Sequence, residues 1–146
     1  MNFPPSLTFA RYGQRIGPNQ DGPFLRLVDG GIKEEVGQWG LIRPGMPTRV
    51  EMTKGRPRLT NNCRSETMAS KPTFRQSWRE GRRCLIPAWS FDEPNYETKK
   101  NVWWQMSRAD GLPWGLAGLW SEWTDPESGE LVMSYTMILG APTVTQ

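Results

Sequence analysis

The sequence of 146 residues contains no histidine. Histidine is the side chain whose unperturbed pKa lies nearest to physiological pH. Its absence excludes a Ser-His-Asp triad, a Cys-His nucleophile pair and a His-ligated zinc or haem within this chain. Any chemistry must therefore come from carboxylates, lysines, the N-terminal amine or the two cysteines.

Cysteines and long apolar runs are also scarce. Without histidine, Cys63 and Cys84 cannot form an ordinary closed zinc site. Nothing else in the sequence indicates secretion, so we expect reduced thiols and a cytoplasmic location. No apolar run is long enough to span a membrane, and the N-terminal residues lack the features of a signal peptide. We expect a monomer without membrane contact, metal or cofactor.

Arginine is abundant in the middle of the chain. From Arg43 to Arg83, eleven basic residues, nine of them arginine, oppose three acidic ones and give a net charge of +8, whereas the remainder carries −5. Arginine is favoured where phosphate is bound through planar, bidentate contacts. Such a block is typical of a surface for an anionic partner, with nucleic acid as the leading candidate. A solvated basic face without a partner explains the composition equally well.

Frequent Gly and Pro turn signals separate short apolar runs, which is the pattern of a protein rich in strands. A turn through residues 29–31 is expected to join the first two strands, and residues 44–59 are expected to form a long surface loop. Pro87 is expected to interrupt the third strand, and the last two should form a hairpin. The predicted strands are Phe24–Val28, Val36–Ile42, Cys84–Ile86, Val102–Met106, Leu116–Trp123 and Leu131–Leu139.

Residues 65–81 are the best helical stretch, predicted as a broken helix. Ser65 can cap its first turn, and Gly81 is suited to end it. Phe74 and Trp78 are four residues apart, so they should share a buried face. The helix should present three cations to water: Arg75, Arg79 and Arg82.

Strands outnumber helices and do not alternate with them, so the predicted class is α+β. We expect a single domain over residues 1–146, with a mainly antiparallel, barrel-like or bifurcated sheet and a few flanking helices. Cys63 and Cys84 are expected to be buried, inert thiols. Five tryptophans are assigned mainly to the core and the sheet faces: Trp103, Trp104, Trp114, Trp120 and Trp123.

Five segments carry recognisable motifs in a fixed order. The strongest are WGLI at Trp39–Ile42, NCRSET continuing to KPTFR at Asn62–Arg75, and RCLIPA continuing to FDE at Arg83–Glu93. Weaker similarities lie at Arg11–Gln20 and Leu116–Trp120. Together they resemble the SOS-response-associated peptidase family, whose members capture abasic sites in single-stranded DNA covalently.

The resemblance implies a specific chemistry and a set of site residues. In the family, an N-terminal cysteine condenses through its α-amine and thiol with the aldehyde of an abasic site to form a thiazolidine. The resemblance implies that Asn62 and Glu93 assist catalysis, that Arg64 binds phosphate, and that Trp39 contacts the nucleotide. Further candidates for DNA binding are Pro18, Arg75 and Arg82.

The side-chain chemistry is compatible with these roles. An asparagine amide can donate to a sugar oxygen and accept from an amine, and a carboxylate can move protons during imine formation. Without the motifs, Glu93 would be interpreted as a solvated turn residue and Asn62 as a helix cap. Trp39 lies in an apolar segment, so core packing and DNA contact both stay open.

Two departures from the family pattern bear on activity. Residue 2 is asparagine rather than cysteine, and the family's C-terminal histidine motif has no counterpart before Gln146. The comparison therefore implies a domain altered at its N-terminus and incomplete at its C-terminus. Three functions are left open: abasic-site capture on single-stranded DNA by the intact form, a cysteine-type peptidase acting on peptide bonds, and a non-catalytic remnant that binds DNA or a protein partner.

Overall fold

The computed structural model describes residues 15–88, 90–94, 103–107, 109–110 and 114–140, and for 91–94 and 103–107 it describes the backbone alone. Strands predominate within this part of the chain, and its one helix is short. The elements are β1 (Asp21–Val28), β2 (Gly31–Trp39), β3 (Met52–Thr53), β4 (Arg56–Pro57), β5 (Asn62–Arg64), α1 (Arg75–Arg79), β6 (Arg83–Ala88), β7 (Ser90–Pro94), β8 (Trp103–Ser107), β9 (Trp114–Thr124) and β10 (Leu131–Leu139).

The main sheet is a closed barrel with one additional strand. Its order is β2-β1-β6-β9-β10-β5, and a further pairing between β2 and β10 closes the first five strands on themselves. The two smaller sheets are the hairpins β3–β4 and β7–β8. The predicted barrel-like, mainly antiparallel class is confirmed, although α1 is the only flanking helix in the described residues.

One edge of β10 is shared by two parallel segments. Gln38 and Trp39 at the end of β2 pair with Ser134–Tyr135, and β5 pairs with Met137–Leu139 immediately beyond. The chain therefore leaves this edge after β2, passes through residues 40–61, and returns to the same edge as β5.

The β1–β2 hairpin begins earlier than the sequence predicts, because its turn sets the register. Asp29 and Gly30 have φ of 50° and 80°, the left-handed pair that a two-residue hairpin turn requires. Pairing then runs without interruption from Val28 opposite Gly31 to Asp21 opposite Gln38. The polar residues at the start of β2 thus belong to the strand, which ends at Trp39 rather than at Ile42.

The β9–β10 hairpin is confirmed, whereas the predicted interruption at Pro87 is wrong. Strand β6 continues through Pro87 and pairs along β9 to Ala88. Its register with β1 involves Leu85, two residues earlier. A proline is tolerated in a strand where one neighbour no longer needs its N–H.

The predicted helix over residues 65–81 is wrong in length. Only Arg75–Arg79 are α-helical, and the preceding residues form successive turns. Gly81 ends the helix at φ +69°, as predicted. Arg82 lies beyond the helix, with its guanidinium 4.9 Å from the centroid of the Trp120 ring and 3.0 Å from Glu80. It is therefore packed against the barrel rather than simply presented to water.

The barrel interior and its outer surface have separate cores. The interior contains Phe24, Cys84, Ile86, Tyr135 and Met137, with half-buried Trp39, Leu116, Trp120 and Met133 packed against them. Outside the barrel, Met68 and Phe74 from the segment that leads into α1 pack with Leu41, Cys63 and Leu119. Of the five tryptophans assigned to the core and sheet faces, Trp123 is buried and Trp114 and Trp120 are half-buried, while the side chains of Trp103 and Trp104 lie outside the described residues.

The two cysteines are buried free thiols, as the sequence predicts. Burial raises the pKa of Cys63 from its ordinary value of 9.0 to about 11, and the Thr136 hydroxyl opposes part of that rise. Burial and the neighbouring Cys63 raise the pKa of Cys84. Both thiols are therefore protonated near neutral pH and are poor nucleophiles.

None of the helical structure in the described ranges is long and apolar enough to cross a membrane.

Barrel closure should be sensitive to a methyl group at Gly37. A Cβ there would lie 2.6 Å from the carbonyl oxygen of Met133 on β10, closer than packed atoms approach. Gly37→Ala should lower the free energy of unfolding by about 1–3 kcal/mol through overpacking. Gly31→Ala on the same strand meets an oxygen at an ordinary 3.7 Å and should change it by no more than about 0.5 kcal/mol. Denaturant unfolding of both variants tests this, and equal stability would contradict the closure argument.

Thiol reactivity should depend on unfolding. At about pH 8, a chromogenic disulfide reagent should react with the native thiols at least tenfold more slowly than in denaturant, because little thiolate forms.

The same burial makes stability depend on pH. Since the folded-state pKa of Cys63 lies above its value in the unfolded chain, the stabilisation from the protonated thiol is present below pH 9.0 and is lost as the pH rises toward about 11. Rapid native-state labelling of Cys63→Ala or Cys84→Ala would contradict the burial of the remaining thiol.

Candidate nucleic-acid interface

The shared edge of β10 brings two motif segments together. Trp39 is in register with Tyr135, and Asn62 with Met137, two residues further along β10. At the rise of an extended strand, these two positions are about 7 Å apart along the edge. The WGLI and NCRSET motifs, distant in sequence, thus meet where β2 ends and β5 begins.

Hydrogen bonds fix the connection between the two motifs. At its neck, the Leu41 N–H donates to the Thr60 carbonyl at 3.1 Å, and the Thr60 hydroxyl donates to the Leu41 carbonyl at 3.0 Å. The Ile42 N–H donates to the buried Ser134 hydroxyl at 2.9 Å. The Trp123 indole N–H donates to the Met46 carbonyl at 2.8 Å. The predicted surface loop is therefore tied to the barrel at several points.

The segment that precedes β1 is attached to the end of β2. The Asn19 N–H donates to the Trp39 carbonyl at 2.8 Å, and the Trp39 N–H donates to the Gln20 carbonyl at 2.9 Å. Pro18 is thereby held, exposed, beside the WGLI motif. Gly40 lacks a side chain where a Cβ would collide with the Asn19 amide, so this close approach depends on the glycine.

A cavity of about 200 Å³ opens at β5. Asn62 and Arg64 are exposed on one side of this strand, with Cys63 buried between them, as the alternation of a strand dictates. Phe74 and the neck residue Thr60 also contribute to the wall. The full lining is Arg58, Leu59, Thr60, Asn62, Cys63, Arg64, Thr67, Lys71, Thr73 and Phe74.

A second, smaller cavity of about 20 Å³ adjoins the first, since Arg58, Thr60 and Thr73 line both. We call the two together the basic groove. Its charged lining consists of five cations and one carboxylate: Arg43, Arg49, Arg58, Arg64, Lys71 and Glu51. Asn19 extends the smaller cavity toward the end of β2.

The positive charge of the basic groove is only partly neutralised. Arg58 Nη1 lies 3.3 Å from Glu51 Oε2, and Arg49 Nη2 lies 3.6 Å from Asp21 Oδ1, each pair well exposed. Within the described part of the chain, Arg43, Arg64 and Lys71 form no ion pair. Unpaired cations in a polar concavity attract anions, and they can bind phosphate without first breaking an ion pair.

Trp39 contributes to the barrel core. Its ring is half-buried and packs against the interior cluster around Phe24 and Tyr135. Its indole Nε1 is buried and has no hydrogen-bond partner among the residues described. Core packing, one of the two roles left open by the sequence, is therefore real, and its contact with DNA stays a prediction.

Other predicted site residues are distributed differently. Glu93 lies on β7 in register with Trp104, but its side chain falls outside the described residues, so its catalytic role stays a prediction. Arg75, exposed on α1, and Arg82, packed on Trp120, line neither cavity of the basic groove. No group of three or more His, Cys, Asp or Glu in the described ranges could hold a metal ion.

The structure adds groove residues that the motifs do not identify. Arg43, Arg49 and Arg58 belong to the basic block noted in the sequence, but nothing there distinguishes them from its other cations. Thr60 carried no sequence signal, because its position depends on the return of the chain to β10, and Thr73 lies in the KPTFR segment without having been assigned a role. From the sequence, this surface could be expected only from the high density of positive charge between Arg43 and Arg83.

Comparisons with known proteins agree with the motifs. The chain is 30% identical over 118 residues to "Abasic site processing protein HMCES" of Xenopus tropicalis, covering 69% of this chain and 35% of that protein. It is 29% identical over 119 residues to "Abasic site processing protein YoqW" of Bacillus subtilis, covering 80% and 50%. It is 30% identical over 131 residues to YobE, a B. subtilis protein of the same description, covering 88% and 56%. The chain thus spans about half the length, or less, of these curated relatives.

Solved structures agree on the fold. A crystal structure of a Bordetella bronchiseptica protein superposes with a TM-score of 0.68 at 38% sequence identity, covering 84% of this chain and 58% of that one. A Bacteroides thetaiotaomicron protein at 20% identity has a TM-score of 0.65 and shares the fold. The family model of the SOS response associated peptidase (SRAP) matches residues 8–144. This match covers nearly all of the sequence, so the chain belongs to the SRAP family.

Proposed function

We propose that this SRAP chain binds single-stranded DNA and recognises abasic sites in that strand. The observation that carries the proposal is the basic groove at the junction of β2 and β5. There two of the three strongest family motifs meet beside five cations, which among the described residues are opposed through ion pairs by Asp21 and Glu51. The names of the curated relatives, which process abasic sites, support the same substrate class.

The larger cavity and the neighbouring Arg64 suit two parts of a nucleotide, the sugar and the phosphate. The 200 Å³ cavity is large enough for a sugar or base, and Asn62, Thr67 and Thr73 offer it hydrogen bonds. Arg64 stands on the same side of β5 as Asn62, so it can bind a phosphate while the amide contacts the attached sugar. We assign Asn62 to the abasic sugar and Arg64 to the adjoining phosphate.

The covalent step of abasic-site capture would need groups in addition to those described. We propose that Glu93 moves the proton during imine formation, as its place in the FDE motif implies. The 146 residues contain no histidine, and neither cysteine carries a free α-amine. Binding by the groove is therefore separable from crosslinking in this chain.

The peptidase alternative finds little support in the cysteines. Cys63 and Cys84 are buried, and their raised pKa values keep the thiols protonated. A cysteine peptidase requires a thiolate that is accessible to its substrate. Cleavage of peptides by this chain would therefore need a different nucleophile.

Binding to a fluorescein-labelled oligothymidylate should depend steeply on salt. Each phosphate contact on a single strand contributes about −0.7 to the slope of log K against log salt. Arg64→Gln should weaken binding by about tenfold and flatten that slope by about 0.7. Lys33→Gln removes the same charge from an exposed side chain that lines neither cavity, and should change affinity less than about twofold. Fluorescence anisotropy over about 50–200 mM salt gives both values, and salt-independent binding would argue against the proposal.

A polypeptide of these 146 residues should form no heat-stable crosslink with abasic DNA. A thiazolidine needs an amine and a thiol on one residue, which Cys63 and Cys84 within the chain cannot offer. An amine of the chain can condense with the aldehyde, releasing water, and borohydride would reduce that imine to a stable secondary amine. Trapping should therefore need borohydride and should weaken several-fold in Glu93→Gln. A crosslink that survives denaturing electrophoresis without reductant would show that the nucleophile is misassigned.

A further inference from the structure

The β3–β4 hairpin places an arginine where the two cavities of the basic groove meet. Glu51 directly precedes β3, and Arg58 directly follows β4. The tight turn between the strands uses Lys54 and Gly55 at φ of 53° and 76°. The Arg58 N–H donates to the Glu51 carbonyl at 2.7 Å, so the base of the hairpin is closed by backbone as well as by side chains. Both side chains are therefore presented together to the groove.

Among the residues that the structure describes, Arg58 is the one cation that lines both cavities. Its Nη1 lies 3.3 Å from Glu51 Oε2, and the two side chains are 49% and 37% exposed. An ion pair this exposed contributes little to stability, so Arg58 can readily exchange Glu51 for another anion. A phosphate offers Arg58 a stronger, bidentate partner.

The size of the smaller cavity restricts what can approach Arg58 from that side. A volume of about 20 Å³ holds little more than a water-sized group, so neither a base nor a sugar fits. An oxygen of a phosphate at the cavity mouth is small enough and carries the complementary charge. Arg43 and Arg49 in the same lining would add to the attraction.

Resting on the proposed function, we infer that Arg58 binds a second phosphate of the single strand. In the unbound protein Glu51 forms an ion pair with Arg58, and it therefore competes with that phosphate. The Arg58–Glu51 ion pair opens when the strand enters, and the guanidinium exchanges one carboxylate for a phosphate. Glu51 thereby weakens binding of strands that reach the hairpin, because the ion pair has to open before the phosphate binds. The β3–β4 hairpin is thus a part of the nucleic-acid surface that the family motifs do not include.

A double-mutant cycle tests the competition with the same labelled oligothymidylate. Arg58→Gln should weaken binding by about tenfold and flatten the salt slope by about 0.7. Glu51→Gln should tighten binding by about two- to fivefold, the worth of an exposed ion pair. In the Arg58→Gln background, Glu51→Gln should lose that effect, because the carboxylate no longer restrains a guanidinium.

Matched variants separate this competition from long-range charge. Glu127→Gln removes one carboxylate from the exposed turn between β9 and β10, and Lys33→Gln removes one cation remote from the hairpin. If Glu51→Gln tightens binding no more than Glu127→Gln does, or Arg58→Gln weakens it no more than Lys33→Gln does, the inference is overturned. An unaltered circular dichroism spectrum for each variant excludes misfolding.

The same data distinguish this inference from the proposed function. If the parent chain fails to bind the oligonucleotide, the proposed function itself fails. If the parent binds and Arg64→Gln weakens it while the Arg58 and Glu51 variants match their controls, the groove at β5 is retained and the role of the hairpin is rejected.

Discussion

The parallel pairing of β2 and β5 with one edge of β10 is the constraint on which the site depends. Through Gln38 and Trp39 it closes the barrel, and through Asn62 it returns the chain to the same edge two residues further on. Everything between these points must then leave the sheet and come back within a short distance. That excursion forms the concave surface, because hydrogen bonds of Ile42 with Ser134 and of Met46 with Trp123 tie the loop back to the barrel.

Local features of the fold could be predicted from the sequence, and its closure could not. The turns at Asp29-Gly30 and at Gly81 follow from residues that tolerate positive φ, and the β9–β10 hairpin follows from its apolar pattern. The pairing of Gln38 with Ser134 joins positions far apart in the chain, for which no local pattern exists. The helix over residues 65–81 is overpredicted because burial of Met68 and Phe74 against the barrel satisfies that segment without continuous helix.

In the candidate site, too, residues within local motifs could be selected from the sequence, and residues placed by the tertiary fold could not. Asn62 and Arg64 were selected by the NCRSET motif, and the structure places both side chains on the same exposed side of one short strand, while their roles stay predictions. Arg58 carried no such signal, since its position between two cavities comes from the β3–β4 hairpin. Arg82 shows the opposite case: a cation in the basic block is used to cover Trp120. Charge density in a sequence thus indicates a surface but does not identify its ligand-binding members.

The electrostatics of the groove favour reversible contact distributed over several groups. Its ion pairs, Arg49 with Asp21 and Arg58 with Glu51, are exposed, so each is worth little and neither fixes a rigid charge pattern. Several such cations can follow a flexible phosphate backbone, whereas base recognition would need closely fitted polar partners. The protonated, buried cysteines add no competing nucleophile beneath this surface. The groove cations differ from Asn62 and Glu93, the residues proposed for the covalent step, so substitution of these cations leaves the groups proposed for that step in place.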